Sequence, residues 1–403
     1  MLRLLILPWL LALPLLAAPA DLPAGEPTAE RLQQMLARNP EDALALLNLA
    51  VLRARDGAWS EAIALLRAMA RLPGGLDPGE IGSFGRWKDD PAFSDLLAEI
   101  RRADPPLARS RPAFTVREPD LNPEGMAFDP VDRAVFVGSA KGKIVRVDAR
   151  GLARDFARVS EPGQPRWALG LHIDRARRHL WAVADDPRAW SKPELGGSVL
   201  LCFDLRSGRR LARVQGPAYG ALNDLVVDRR GVVYTTNSSD GSIWRAGRGA
   251  RRVDAFLPPG SVPEANGLAL DDGGRTLFVA GWHDIARIDL RTRRLGVLAA
   301  PPGVLAGNLD GLYLHRGTLI GIQNGVHPGR ILRFHLDPQR RRILRREVLE
   351  SRHPEQDGLT TGALDGDDLL FFRNTQMKAF DPDGKPLPGR VLKDIVIARL
   401  GLR

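Results

Sequence analysis

The chain has 403 residues, of which 44% are hydrophobic and 26% charged, which excludes wholesale disorder and leaves room for two or three domains or one large repeat fold. The formal charge of +10 raises nucleic acid as a partner, yet only seven of the 58 basic residues are lysine, an arginine skew typical of a GC-rich genome and weak as a sign of any ligand. The one cysteine, Cys202, excludes an intramolecular disulfide framework and a multi-cysteine metal site; in the apolar run 199–203 it reads as a buried, inert thiol.

In chain order, the first element is an address. Arg3, the apolar run 4–16 and Ala18-Pro19-Ala20 form an export signal over residues 1–20. The run falls short of the roughly 20 residues that span a bilayer, and no later segment approaches that length. The expectation is an exported protein, periplasmic or secreted, with no transmembrane segment after cleavage; an uncleaved anchor is the alternative. Export also removes chromosomal nucleic acid from its surroundings.

Residues 29–103 read as helices. Ala43, Leu46, Leu47 and Ala50 make one apolar face and Ala62, Ile63, Leu65 and Leu66 another, with Asp56-Gly57-Ala58-Trp59 turning between them. Asn39-Pro40-Glu41-Asp42 is a helix start, and a last helix follows from Pro91 to Arg102. The pair and its turn resemble a tetratricopeptide repeat of about 34 residues. Such repeats imply a docking element for a protein partner, and a packing cap on the next domain is the plainer reading. The proline-rich stretch 104–113 reads as a linker.

From residue 114 to 403 the pattern becomes short strands separated by turns. A unit of polar residue, Gly and large apolar residue recurs at Glu124, Leu169, Asn223, Asn266, Asp310 and Asp357, spaced 45, 54, 43, 44 and 47 residues apart. Each copy precedes apolar strands, such as 134–137, 180–183, 232–235, 277–280 and 319–322. That period is one propeller blade, so the fold is mainly β, a six-bladed β-propeller preceded by a small α-helical region.

In a propeller the first strand of every blade lines the axis and all run the same way, so the six opening residues share one rim. Five carry oxygen: Glu124, Asn223, Asn266, Asp310 and Asp357. Carboxylates and amides without sulfur or paired histidine describe a site for a hard divalent cation, calcium before zinc or manganese. The bland reading is that Asn-Gly and Asp-Gly make turns, which does not account for Glu124. Loops between second and third strands rise round the same mouth and carry Asn324, His283 and His327, while the 13-residue stretch 185–197 with Trp190 is a candidate lid. His172 and His315, on inner strands, read as satisfied packing groups.

At these openers the sequence resembles the SMP-30/gluconolactonase/luciferin-regenerating-enzyme family of six-bladed propellers, over roughly residues 115–400. The resemblance rests on Pro-Glu-Gly, Asn-Asp, Asn-Gly-Leu and Asp-Gly in order, one per blade. It implies Glu124, Asn266 and Asp310 as metal ligands, with Asn223 close to metal and substrate. It also implies hydrolysis of a lactone or other ester, the metal polarising the carbonyl. Asp310 is then the candidate for proton transfer, with His283 and His327 as alternatives, and Asn223, Asp224, Asp357 and Asn324 are candidate substrate contacts. Sugar-lactone members carry Arg two places before Asn-Asp, where this chain has Ala221. The competing reading is a non-catalytic exported propeller that binds a small ligand or protein. Arginine pairs at 177–178, 209–210, 229–230 and 293–294 are dispersed round the rim, which argues against nucleic acid.

Overall fold

The computed structural model describes residues 28–403 and divides them into two compact units. The expected export signal, residues 1–20, lies outside the described residues. Among them no helix is long and apolar enough to cross a membrane.

The first unit comprises residues 28–105 together with the segments Pro301–Leu305 and Gly325–Pro328. Its helices are α1 (Ala29–Arg38), α2 (Ala43–Arg55), α3 (Trp59–Ala70) and α4 (Pro91–Ala103). Asp42 caps α2 by accepting from the Ala45 amide at 3.0 Å, and Asp90 caps α4 through the Phe93 amide at 3.1 Å. Trp59 stacks on Trp87 with ring centroids 4.7 Å apart and meets Phe93 edge-on. Trp59, at the end of the turn read from the sequence, is thus part of an aromatic cluster.

The second unit is the propeller: six four-stranded antiparallel sheets. Blade one runs Pro123–Asp129, Ala134–Ser139, Lys143–Val147 and Ala153–Arg158, and blades two to five repeat this order from inner strands Trp167–Asp174, Leu222–Val227, Leu268–Leu270 and Leu309–His315. Blade six takes Gly362–Asp365, Asp368–Phe372 and Ile395–Gly401 from the C-terminal end of the chain, and Arg111–Val116 as its outermost strand. Three residues assigned to the linker, 111–113, are therefore strand: Pro112 sits on an edge, where the missing amide costs no ladder bond. Buried Glu350 secures this closure by accepting from the Arg109 and Ser110 amides at 3.0 and 2.6 Å and from Ser110 Oγ at 2.6 Å.

Apolar side chains fill the spaces between neighbouring blades. Phe136 and Ala127 of blade one pack with Leu171, Ala182 and Leu201 of blade two in one cluster, and each fully buried large side chain contributes about 1.5–3 kcal/mol. Arginines at hairpin turns add polar staples. Arg178 reaches back to Asp129 of blade one at 2.5 and 2.7 Å, Arg177 forward to the Arg229 carbonyl, Arg229 to the Asp272 carbonyl and Arg316 to Asp367. The dispersed arginine pairs are in part interblade fasteners.

Burial alone would raise the Asp129 carboxyl, but the Arg178 guanidinium and the Val131 and Asp132 amides outweigh it and hold the group below its ordinary value. A depressed acid stabilises the fold above its unfolded value near 3.9 and withdraws that support as pH falls through the lower folded value. Asp129→Asn is expected to cost about 2–3 kcal/mol at pH 7, read by denaturant unfolding, and the loss should shrink towards pH 2. Equal destabilisation at both pH values would refute the ion-pair account.

Candidate functional site

Neighbouring inner strands meet so closely at the axis that the residue after each opener is tightly restricted. A Cβ on Gly125 would lie 1.9 Å from the Leu169 carbonyl oxygen, and one on Gly267 2.4 Å from that of Asp310. Two blades place a larger residue there and use it as a bridge. Asp224 accepts from the Leu225 amide at 2.8 Å and from the Leu268 amide of blade four at 3.3 Å. Thr361 Oγ1 donates to the Glu124 carbonyl at 2.5 Å, and Thr360 Oγ1 does so at 3.1 Å.

This geometry corrects one expected site residue. Counting back five places from the last residue of the inner strands, Asp129 or Asp365, gives Glu124 in blade one and Thr360 in blade six. The sixth opener is Thr360; Asp357 lies three residues earlier, exposed, with its backbone bridged to Asn374. Asp357-Gly358-Leu359 mimics the repeat because Asp-Gly suits any tight turn.

The other openers converge. Glu124 and Asp310 lie near enough for their charges to repel, and no cationic side chain acts on either among the described residues. Burial, then Asp310, holds the Glu124 carboxyl well above the ordinary carboxylate range. Burial pushes Asp310 up to about 6, opposed by hydrogen bonds from Asn324 and Asn266. Asn324 Nδ2 donates to Asp310 Oδ2 at 2.7 Å and to the Leu359 carbonyl at 2.9 Å, so Asn324 positions the acid. Asn223 spends its Nδ2 on Ser238 Oγ at 3.0 Å, and Ser238 donates to the Ala265 carbonyl beside Asn266. Asn266 Oδ1 is buried and accepts no hydrogen bond. Both amide openers thus commit their nitrogens to protein and keep an oxygen in reserve.

Among the described residues no three His, Cys, Asp or Glu side chains cluster as a metal site, so a cation here would need the amide oxygens beside Glu124 and Asp310. Asp224, expected at substrate, lies one layer below; burial pushes it up to about 7, and its two oxygens already accept amides. His283 is half-buried and tilted against Trp282, with ring centroids 5.3 Å apart. His327 belongs to the first unit, where its carbonyl accepts from the Asp77 amide at 2.7 Å. Ala221 is fully buried.

Two acids carry no signal in the sequence. Asp185 is 0% exposed at the base of the lid stretch, bonded to Ser198 Oγ at 2.5 Å at its other end, and burial pushes it up to about 7. Glu264 has a left-handed backbone (φ 51°), and burial lifts its carboxyl to about 8. Their repeat positions are ordinary; only enclosure distinguishes them.

No family model matches the chain, and no curated protein matches it. Solved structures similar to it are an aldose sugar dehydrogenase from Streptomyces coelicolor in its PQQ-bound form (17% identity, 73% of this chain and 99% of that one, TM-score 0.48), a gluconolactonase from Xanthomonas campestris (14%, 74% and 99%, 0.48) and luciferin-regenerating enzyme (14%, 74% and 95%, 0.47). At these identities the likeness is one of fold.

A carboxyl with a raised folded-state pKa favours the fold below its unfolded value near 4 and loses that contribution as pH rises through the folded value, about 6 for Asp310. In chelator at pH 8, the Glu124→Gln/Asp310→Asn protein is therefore expected to melt about 2–5 °C above wild type, with the gap closing by pH 4. Calorimetry across that range checks the sign, and a variant less stable at pH 8 would contradict the repulsion.

Proposed function

We propose that the protein is a metal-dependent hydrolase of a lactone or related ester, with a divalent cation held at the propeller axis by Glu124, Asn223, Asn266 and Asp310. The observation that carries this reading is the meeting of two acids that have no cationic side chain beside them with a buried amide oxygen, Asn266 Oδ1, that no protein donor satisfies. Leaving such groups without a partner costs several kcal/mol, which a cation offsets. The donor set is all oxygen and irregular, so calcium fits first, and zinc or manganese are the alternatives.

A bound cation would supply Lewis-acid polarisation of the ester carbonyl and charge for the oxyanion. The chain's own residues do the rest. Asn324 fixes the Asp310 carboxylate, which takes the proton of the attacking water; His283 is the secondary candidate for that proton. Asn223 orients the substrate, with its own amide held by Ser238. Because Asp224 has both oxygens engaged, its role is to brace blades three and four rather than touch substrate. The buried Ala221, where sugar lactonases of the resembling family carry arginine, supports a lactone or ester poorer in hydroxyls.

The test is a screen of lactones and aryl esters with calcium, zinc or manganese, repeated in chelator. Turnover should be metal-dependent and fall about 10²–10⁴-fold in Glu124→Gln or Asp310→Asn. Turnover that survives both chelation and the double substitution would exclude the metal site as its source. Stoichiometric cation binding without turnover of any ester would replace the hydrolase with a ligand-binding propeller.

A further inference from the structure

Below the layer of Asp224 the axial channel widens into a chamber of about 640 Å³ lined by all six inner strands and by none of the six openers. Its girth is set three residues after each opener, at Ala127, His172, Val226, Ala269, Tyr313 and Ala363, all of which line it. Four of the six are Ala or Val, so the wall is recessed and largely unable to hydrogen-bond water. It reaches solvent at the exposed hairpin residues Arg175, Arg229 and Asp272.

The two remaining wall residues are polar and have capacity to spare. Tyr313 Oη accepts from the Gly362 amide at 2.6 Å, which leaves its hydroxyl proton to donate. His172, expected to be a satisfied packing group, has no hydrogen-bond partner among the described residues, unlike His315, which lies 3.1 Å from Asp367. Burial, then Arg175, holds the imidazole down to about 4, so it is neutral near pH 7, with one donor and one acceptor. Asp224 at the roof adds no further handle, since two amides occupy it.

A chamber of this volume, with an apolar girth on which His172 and Tyr313 converge and charged side chains (Asp174, Arg175, Asp228, Arg229, Asp271 and Asp272) toward its mouth, has the usual form of a small-molecule site. We infer that the channel is a second binding site, separate from the openers, for a small, uncharged, mainly apolar molecule bearing one hydroxyl or carbonyl oxygen, which engages His172 and Tyr313. This inference does not depend on the hydrolase reading.

The probe pair is p-cresol and toluene, alike in shape and differing in one hydroxyl. Titration calorimetry on the full chain should show p-cresol binding that persists in Glu124→Gln/Asp310→Asn. His172→Leu should weaken p-cresol about tenfold and leave toluene unchanged, and Ala269→Phe should abolish both by filling the chamber. If Ala269→Phe does not fold, His172→Leu with a wild-type melting temperature carries the test alone. No p-cresol binding at millimolar concentration, equal effects of His172→Leu on both probes, or loss of binding in the double variant would each overturn the inference.

Discussion

The propeller depends on how closely six inner strands approach one another at the axis. Where the backbone of one blade meets that of the next at van der Waals distance, the residue after the opener is glycine, as at Gly125 and Gly267, or a side chain that makes the contact itself. Asp224 and Thr361 are of the second kind, reaching the Leu268 amide and the Glu124 carbonyl. The approach closes the ring and also sets the depth at which the openers stand. Site and fold therefore share one constraint: the position that lets blades touch is adjacent to the position that would carry chemistry.

Crowding at the axis gives the openers their unusual electrostatics. Half-buried Glu124 and buried Asp310 are set against each other in a poorly solvated site, which disfavours their charged forms. Other buried acids differ in their solutions: Asp129 pairs with Arg178 and Glu350 with the amides and hydroxyl of the closing segment, whereas burial raises Asp185, Asp224 and Glu264 as it does the axial pair. What sets Glu124 and Asp310 apart is that two such acids stand against each other at the axis. That opposition, together with the orphan oxygen of Asn266, is the observation on which the proposed cation site rests.

The arginine excess meanwhile finds much of its use inside the molecule. Arg177, Arg178, Arg229 and Arg316 stand at hairpin turns and reach neighbouring blades, a role suited to a long side chain with several donors. Net charge was a poor guide to a partner because much of that charge is spent on carbonyls and carboxylates of the same chain.

The sequence by itself determined the blade count, the succession of strands and five of the six openers, because a repeat of backbone conformation must repeat its glycines and apolar positions. It misplaced the sixth opener, since Asp-Gly at 357–358 satisfies the turn chemistry as well as the true position does, and only the strand register selects Thr360. Tertiary structure alone decided which polar groups are spent and which are left over: that Asn324 holds Asp310, that Asp224 is a brace, that His172 faces a chamber unpartnered. Those outcomes depend on distances between blades that are adjacent in space and some 45 residues apart in the chain, and side-chain identity carries no record of them.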